Sequence, residues 1–286
     1  MAEKNAEAFA VRKESLLRLI DRIADKSPAS PTFAVIGGKV PDEAASDLDT
    51  CIRRLESAGK KVSFILADVW NNAAISYRAG WRFTSQSTIK APYLTSVLRE
   101  NGKIFLREEP LIRAVITRSD NDAYEELRER YGNEPFLSFC AESGIDRRHG
   151  EVLYPRSITV RDMCRLWVPS FELLNYRKDM REYASYFSDT AMSAIHAALS
   201  DECRVHTKAG WESGTGDDAP GGIPEPRFVD GDPENDEIAT NDTGVVYTDN
   251  GAYLIAVFSD VQCDPDVLVP LIRALHRAYS GIVREK

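Results

Sequence analysis

The sequence predicts an α+β fold: one antiparallel sheet built from both chain ends with flanking helices, and an all-helical subdomain inserted between. Three observations carry this. Strand-like runs are confined to residues 32–36, 61–69 and 73–77 near the start and to 204–208, 244–248 and 253–259 near the end. The chain from 110 to 200 reads as helix almost throughout. Asn250-Gly251, between the last two runs, is a strong signal for a two-residue hairpin turn and makes those runs antiparallel neighbours. Sheet at the ends with helices grouped in the middle is the α+β pattern, not strand-helix alternation.

Each element follows from local pattern. Residues 8–25 carry Leu16, Leu17, Leu19, Ile20 and Ile23 among charges, an amphipathic helix that stops before Ser27-Pro28. Residues 1–30 therefore read as an N-terminal helical extension and 31–286 as the main domain. After the first strand and Gly37-Gly38, residues 42–58 form a second amphipathic helix through Leu48, Cys51, Ile52 and Leu55. The glycines lack Gly-x-Gly-x-x-Gly spacing and Pro41 precedes the helix, so a dinucleotide site is not predicted. The alternative is an antiparallel start that turns at Asn71-Asn72.

A helix from Ser87 ends near Asn101-Gly102 and buries Leu94, Val97 and Leu98; Pro92 lies close enough to its first turn that the missing N–H costs little. Further helices are expected at 110–117, 122–131, 134–143, 159–168, 171–185 and 188–199, within a helical subdomain of about 87–200. A last helix runs from Pro265 to about Tyr279.

Charge and cysteine content exclude several classes. From Glu212 to Asp242 there are ten acids against one base, Arg227, so the net charge of −9 is concentrated in one Gly/Pro/Asp-rich segment and the rest is balanced. That composition predicts an acidic loop insertion at about 212–242, and no basic stripe for nucleic acid exists. No run approaches the roughly 18 apolar residues of a membrane span. Residues 1–10 are polar and supply no signal-peptide core, which leaves a cytosolic chain or one that starts after a removed export segment. Cys51, Cys140, Cys164, Cys203 and Cys263 are widely spaced without a Cys-x-x-Cys pair, so neither a metal nor a cofactor is called for.

Three short segments carry chemistry. Ser87-Thr88-Ile89-Lys90 sets a serine and a lysine one helical turn apart, where a neutral amine can draw off the hydroxyl proton and make a nucleophile. The same spacing at Ser57 to Lys60 contains Gly59 and runs straight into a strand, as a chance match would. Ser119-Asp120-Asn121 precedes a helix, and Lys208-Ala209-Gly210 ends a short strand.

Serine-lysine, Ser-Asp-Asn and Lys-x-Gly in this order resemble the signature of the penicillin-recognising serine hydrolases, specifically class A β-lactamases and their D-alanyl-D-alanine peptidase relatives. The resemblance spans about residues 42–286 in order of elements. It implies that Ser87 is acylated, with Lys90 as the base or its partner and Ser119 as proton relay to the leaving nitrogen. It further implies that Asn121 holds Lys90 and a substrate amide, that Lys208 and Gly210 belong to the substrate-binding strand, with Lys208 facing a carboxylate, and that the backbone N–H groups of Ser87 and Trp211 form the oxyanion hole. Implied partners are a small-molecule β-lactam or a D-Ala-D-Ala-type peptide, and the implied location is extracytoplasmic or secreted.

Three departures accompany the resemblance. Ala209 replaces the usual threonine or serine. Ser87 and Ser119 are 32 positions apart, too few for the helices class A enzymes place there. The stretch 144–157, where the family carries the glutamate that activates the deacylating water, is short and offers only Asp146 and Glu151, of which Glu151 is the candidate base. Glu172 and Asn175 imitate that motif but are three apart instead of four and lie beyond 159–163, which resembles the following helix. His206 shares a strand face with Lys208 and is expected at the sheet edge. The expected function is a serine acyl-transfer hydrolase with slow deacylation; the alternatives are a D-alanyl-D-alanine carboxypeptidase or a protein that binds β-lactams or cell-wall peptides without turnover.

Overall fold

A computed structural model describes residues 2–27, 32–212 and 238–284. In chain order the elements are α1 (Ala2–Lys26), β1 (Ala34–Ile36), α2 (Asp42–Ser57), β2 (Val62–Asp68), β3 (Ala74–Tyr77), α3 (Lys90–Glu100), α4 (Lys103–Thr117) and α5 (Asn121–Tyr131). There follow α6 (Glu134–Glu142), α7 (Val160–Tyr176), α8 (Arg181–Ser185), α9 (Ala194–Leu199), β4 (Arg204–Glu212), β5 (Ala239–Thr248), β6 (Gly251–Ser259) and α10 (Val269–Arg284). All six strands form one antiparallel sheet in the order β1-β3-β2-β6-β5-β4. The α+β class is as the sequence predicts.

The two central strands read as apolar throughout because both faces are covered. On β6, Leu254, Ala256 and Phe258 join the core that includes α1, α3 and α7, whereas Tyr253, Ile255 and Val257 join the core of α2, α9 and α10. Strand period two sends alternate residues to opposite faces, so a continuous apolar run here means burial on both sides.

Helix α1, from the N-terminal segment, packs on the body. It buries Phe9, Leu16, Leu19, Ile20 and Ile23 completely and packs on α7 and the sheet, so its apolar stripe is part of the main core. Residues 159–185, read as two helices, contain α7 running unbroken through Pro169, followed separately by α8. Helix α4 starts earlier than 110 and is kinked at Glu108, two residues before Pro110, whose ring and missing N–H disturb the preceding turn. The span 188–199 keeps only α9 as α-helix.

The acidic insertion is also shorter than read. Strand β4 continues to Glu212 and β5 begins at Ala239, paired from Arg204↔Tyr247 to Glu212↔Ala239. Residues 213–237, the bulk of the expected loop, lie outside the described residues. Ladder pairing thus overrides local composition at 239–242, and the polar side chains there find partners. Asn241 Nδ2 donates to Thr84 O at 2.8 Å while its Oδ1 accepts from Ser259 N at 3.1 Å, and Thr240 Oγ1 donates to Val261 O at 2.9 Å. No helix among the described residues is long and apolar enough to cross a membrane.

A prediction follows for the segment between β4 and β5. Replacing residues 214–237 by a short glycine-containing turn should leave the melting temperature nearly unchanged. Extending the replacement through Asn241 removes these buried hydrogen bonds, each worth about 1 kcal/mol, and should lower Tm by roughly 5–10 °C. Equal melting temperatures for the two variants would show that this end of β5 contributes nothing.

Candidate active site

Ser87 sits in a 3₁₀ turn, Gln86–Ile89, that runs directly into α3. The turn is held from several sides. Ser85 N donates to Pro155 O at 2.7 Å, Thr88 Oγ1 donates to Ser85 O at 2.6 Å, and Asn241 reaches Thr84 from the sheet. Gln86 adopts φ 46°, a left-handed conformation costly for a side-chain-bearing residue, immediately before the serine. On the facing strand a Cβ at Gly210 would lie 2.6 Å from Ser87 N and 2.7 Å from Thr88 N, so only glycine lets β4 approach this backbone. Thr88, Ile89 and Lys90 are buried and Ser87 is partly exposed.

Lys90 is fully buried at the start of α3. Its Nζ donates to Ser119 O at 2.7 Å and to Asn121 Oδ1, and lies 5.4 Å and 5.6 Å from the ring centroids of Tyr124 and Tyr154. Ser119 has φ 62°. In this backbone setting its carbonyl meets Lys90 while its Oγ accepts from Lys208 Nζ at 2.8 Å. Asp120 caps α5 by accepting from Ala123 N at 2.9 Å. The three residues of Ser-Asp-Asn thus divide the work: Ser119 meets both lysines, Asp120 starts the helix, and Asn121 supplies an amide acceptor.

Lys208 is also fully buried, and its Nζ bonds both to Ser119 Oγ and to Ala209 O at 2.6 Å. Lys208 thus lies against Ser119, the serine that also meets Lys90. Burial, reinforced by the neighbouring Lys90 charge, pushes its amine well below the usual lysine range, with Asp242 acting the other way. Ala209 and Asp242 are register partners on β4 and β5, and Asp242 Oδ2 accepts from Ser193 Oγ at 2.7 Å and Ile195 N at 2.8 Å. Burial raises the Asp242 carboxyl to about 6, against these hydrogen bonds, which lower it.

His206 lies on the edge strand, as expected, but it is covered. Strand β4 is the sheet edge, yet His206 is buried against Phe187 and Tyr247. Asn175 Nδ2 donates to Tyr247 OH at 2.9 Å, and that hydroxyl lies 3.0 Å from His206 Nδ1, which suits a neutral ring accepting there. Desolvation, with Arg204 adding to it, takes His206 down to about 3. Asn175 is therefore committed to the sheet, and Glu172 accepts from Lys13 of α1 at 2.8 Å, so the imitation motif lies outside the serine-lysine cluster.

The loop expected to carry a base brings no carboxylate to the cluster. Glu151 is exposed, and its backbone carbonyl accepts from Asn133 at 3.2 Å. Asp146 is exposed, caps a 3₁₀ turn, and is held down at about 2 by Arg148. Tyr154 reaches the site instead: its OH donates to Asn121 Oδ1 at 3.0 Å. Sequence reasoning missed this residue because it looked to the loop for acids. The adjacent Pro155, whose carbonyl accepts from Ser85, closes the loop on the serine turn. Trp211 is half-buried, its ring centroid 5.9 Å from Lys208 Nζ. Among the described residues no group of three or more His, Cys, Asp or Glu could hold a metal ion.

This sheet and motif arrangement is that of the β-lactamase/transpeptidase superfamily. The model of the beta-lactamase enzyme family matches residues 101–278, and the chain belongs to that family. The match takes in Ser119, Asn121 and Lys208 but begins after Ser87 and Lys90. Among solved structures, a β-lactamase from Streptosporangium roseum is 19% identical with a TM-score of 0.61, covering 84% of this chain and 100% of its own. A β-lactamase from Sphaerobacter thermophilus is 16% identical, TM-score 0.60, covering 82% and 97%. A point mutant of PBP-A, solved as an acyl-enzyme complex with penicillin G, is 13% identical, TM-score 0.60, covering 82% and 96%. At such identities the likeness is one of fold. No curated protein matches the chain in sequence.

The two shifted groups predict stability against pH, with opposite signs. His206 has a folded value of about 3, below the ordinary 6.5, so it adds stability that is present above pH 6.5 and lost as pH falls toward 3. Asp242 has a folded value of about 6, above the ordinary 3.8, so its contribution is present below pH 4 and lost as pH rises through 6. Between pH 7 and 4, His206→Gln should lose less stability than the parent by about 3 kcal/mol. Asp242→Asn should lose more. Denaturant melts at the two pH values measure both, and parallel behaviour of parent and His206→Gln would contradict the burial argument.

Proposed function

We propose that the chain is a serine acyl-transfer hydrolase that forms an acyl-enzyme at Ser87 with β-lactams or D-alanyl-D-alanine-type peptides and releases it slowly. The observation that carries this is the convergence of three separate segments. Lys90 meets Ser119 and Asn121, Lys208 meets Ser119, and Gly210 lies against the Ser87 backbone. Lys90 takes the Ser87 proton, and the Ser87 and Trp211 N–H groups receive the developing oxyanion. Ser119 passes a proton to the leaving nitrogen, while Lys208, bonded to its hydroxyl, holds it in place and bears on a substrate carboxylate through it. Asn121 Nδ2 is the donor for a substrate amide. Cell-wall chemistry of this kind would place the site outside the cytoplasm.

Slow release is supported by the loop. With Glu151 and Asp146 both exposed, this loop brings the acyl carbonyl no carboxylate base for water, which is worth about 10² to 10⁴ in rate. The PBP-A mutant, a fold neighbour, was captured as an acyl-enzyme with penicillin G.

Intact-mass measurement after exposure to penicillins should show one acyl adduct, on Ser87, absent in Ser87→Ala. Labelling that persists in Ser87→Ala, or no adduct with any β-lactam or acyl-D-Ala-D-Ala donor, would remove the reading and leave a protein that binds without turnover. Lys90→Met keeps the stem and removes the amine, so acylation should slow by about 10² to 10⁴; an unchanged rate would assign Lys90 to packing.

With a chromogenic cephalosporin we predict a stoichiometric burst followed by slow turnover. Fast linear hydrolysis without a burst would instead call for Glu151→Gln. Retained acylation with lost turnover in that variant would identify a base reached by loop movement.

A further inference from the structure

We infer that Tyr154 is a positioning residue of the acyl-transfer site, turning the Asn121 amide toward substrate and flanking the Lys90 amine; this rests on the acyl-transfer reading of Ser87. Asn121 Oδ1 receives two donors, Lys90 Nζ and Tyr154 OH. Turned over, the amide would present an NH₂ donor to the two groups that both donate to its oxygen here, so together they hold it in this orientation. Nδ2 is left as the free donor of an exposed residue.

The ring has a second contact. Tyr154 packs against Tyr124, centroids 5.8 Å apart, and the two rings flank Lys90 Nζ at 5.6 Å and 5.4 Å. An aromatic face favours the charged amine.

The loop holds Tyr154 rigidly enough for this role. Arg128 of α5, buried, donates to Gly150 O at 3.1 Å and Val152 O at 3.3 Å. Tyr124 OH donates to Leu153 O at 3.4 Å, and Pro155 O accepts from Ser85 N. Further along, Phe83 and Ile158 form an antiparallel bridge of two mutual 3.0 Å hydrogen bonds. Tyr154 thus stands between anchors on α5 and on the serine turn, and a loop tied to both has little freedom to withdraw it.

Two variants separate the contacts. Tyr154→Phe keeps the ring and deletes one oxygen; Tyr154→Leu deletes both. The readout is the rate constant for Ser87 acylation across pH, with a penicillin bearing an acylamino side chain and with penicillanic acid, which has none. For Tyr154→Phe we expect acylation by the acylamino penicillin to slow about 3- to 10-fold, acylation by penicillanic acid to change less than about twofold, and the acid limb to stay in place.

For Tyr154→Leu the acid limb should also move down by about half a pH unit, since loss of the ring disfavours the charged amine. The other ionisable groups facing Lys90, Lys208 from β4 and Tyr124 from α5, are the same in all three proteins. Unchanged rates in Tyr154→Phe, or equal slowing with both donors together with a lower melting temperature, would overturn the positioning role while leaving acylation of Ser87 intact. A parent protein that forms no adduct would take both down together.

Discussion

Two fully buried lysines share one serine, and the rest of the site depends on how that is arranged. An ammonium removed from water requires acceptors around it or it gives up its proton. Lys90 and Lys208 come from opposite halves of the fold, one from the start of α3 and one from β4, and Ser119 stands between them with its carbonyl on one and its hydroxyl on the other. The left-handed backbone at Ser119 is what allows one residue to serve both. Strain of that kind persists only where the surroundings over-determine it, and here both neighbours are anchored: Asp120 caps α5, and Ala191 N donates to Thr117 O at 2.9 Å just before.

The sheet supplies the other half of that rigidity. Strand β4 is an edge strand, which in isolation would be the most mobile part of the sheet. It is covered instead. Thr207 bonds Thr190 at 2.7 Å, His206 packs into Phe187 and Tyr247, and Asp242 across the ladder ties β5 to the first turn of α9. The neutral histidine and the elevated carboxyl are the electrostatic cost of covering the edge with interior, and they explain why charged or titratable residues occupy a strand that reads as polar.

Most of the fold was legible because its signals are periodic. The apolar runs of β2 and β6, the stripe of α1, and Asn250-Gly251 all state local geometry directly. What failed has a tertiary cause. An amphipathic stripe did not say whether the body or a partner covers α1, and the ends of β4 and β5 looked like loop because acid-rich composition hides a ladder that exists only when both strands meet. At the site, Ser87, Lys90, Ser119, Asn121, Lys208 and Gly210 were named from motif order, and the structure brings them together. Motif order could not say that Lys208 would be buried on Ser119, since that depends on how β4 meets the turn before α5.

Tyr154 shows the same limit from the other side. A loop judged by a missing carboxylate is judged by what it lacks, whereas its position is set by what it binds. Arg128 and Ser85 pull 150–155 onto the cluster whatever residue stands at 154. A phenol that donates to Asn121 has its proton in that bond and offers water no carboxylate. In the proposed chemistry, the residue that orders the acylation machinery is thus one that leaves deacylation without help. Under that proposal, the contact that aligns Asn121 for the incoming substrate fills with a phenol the place where a carboxylate would have served the deacylating water.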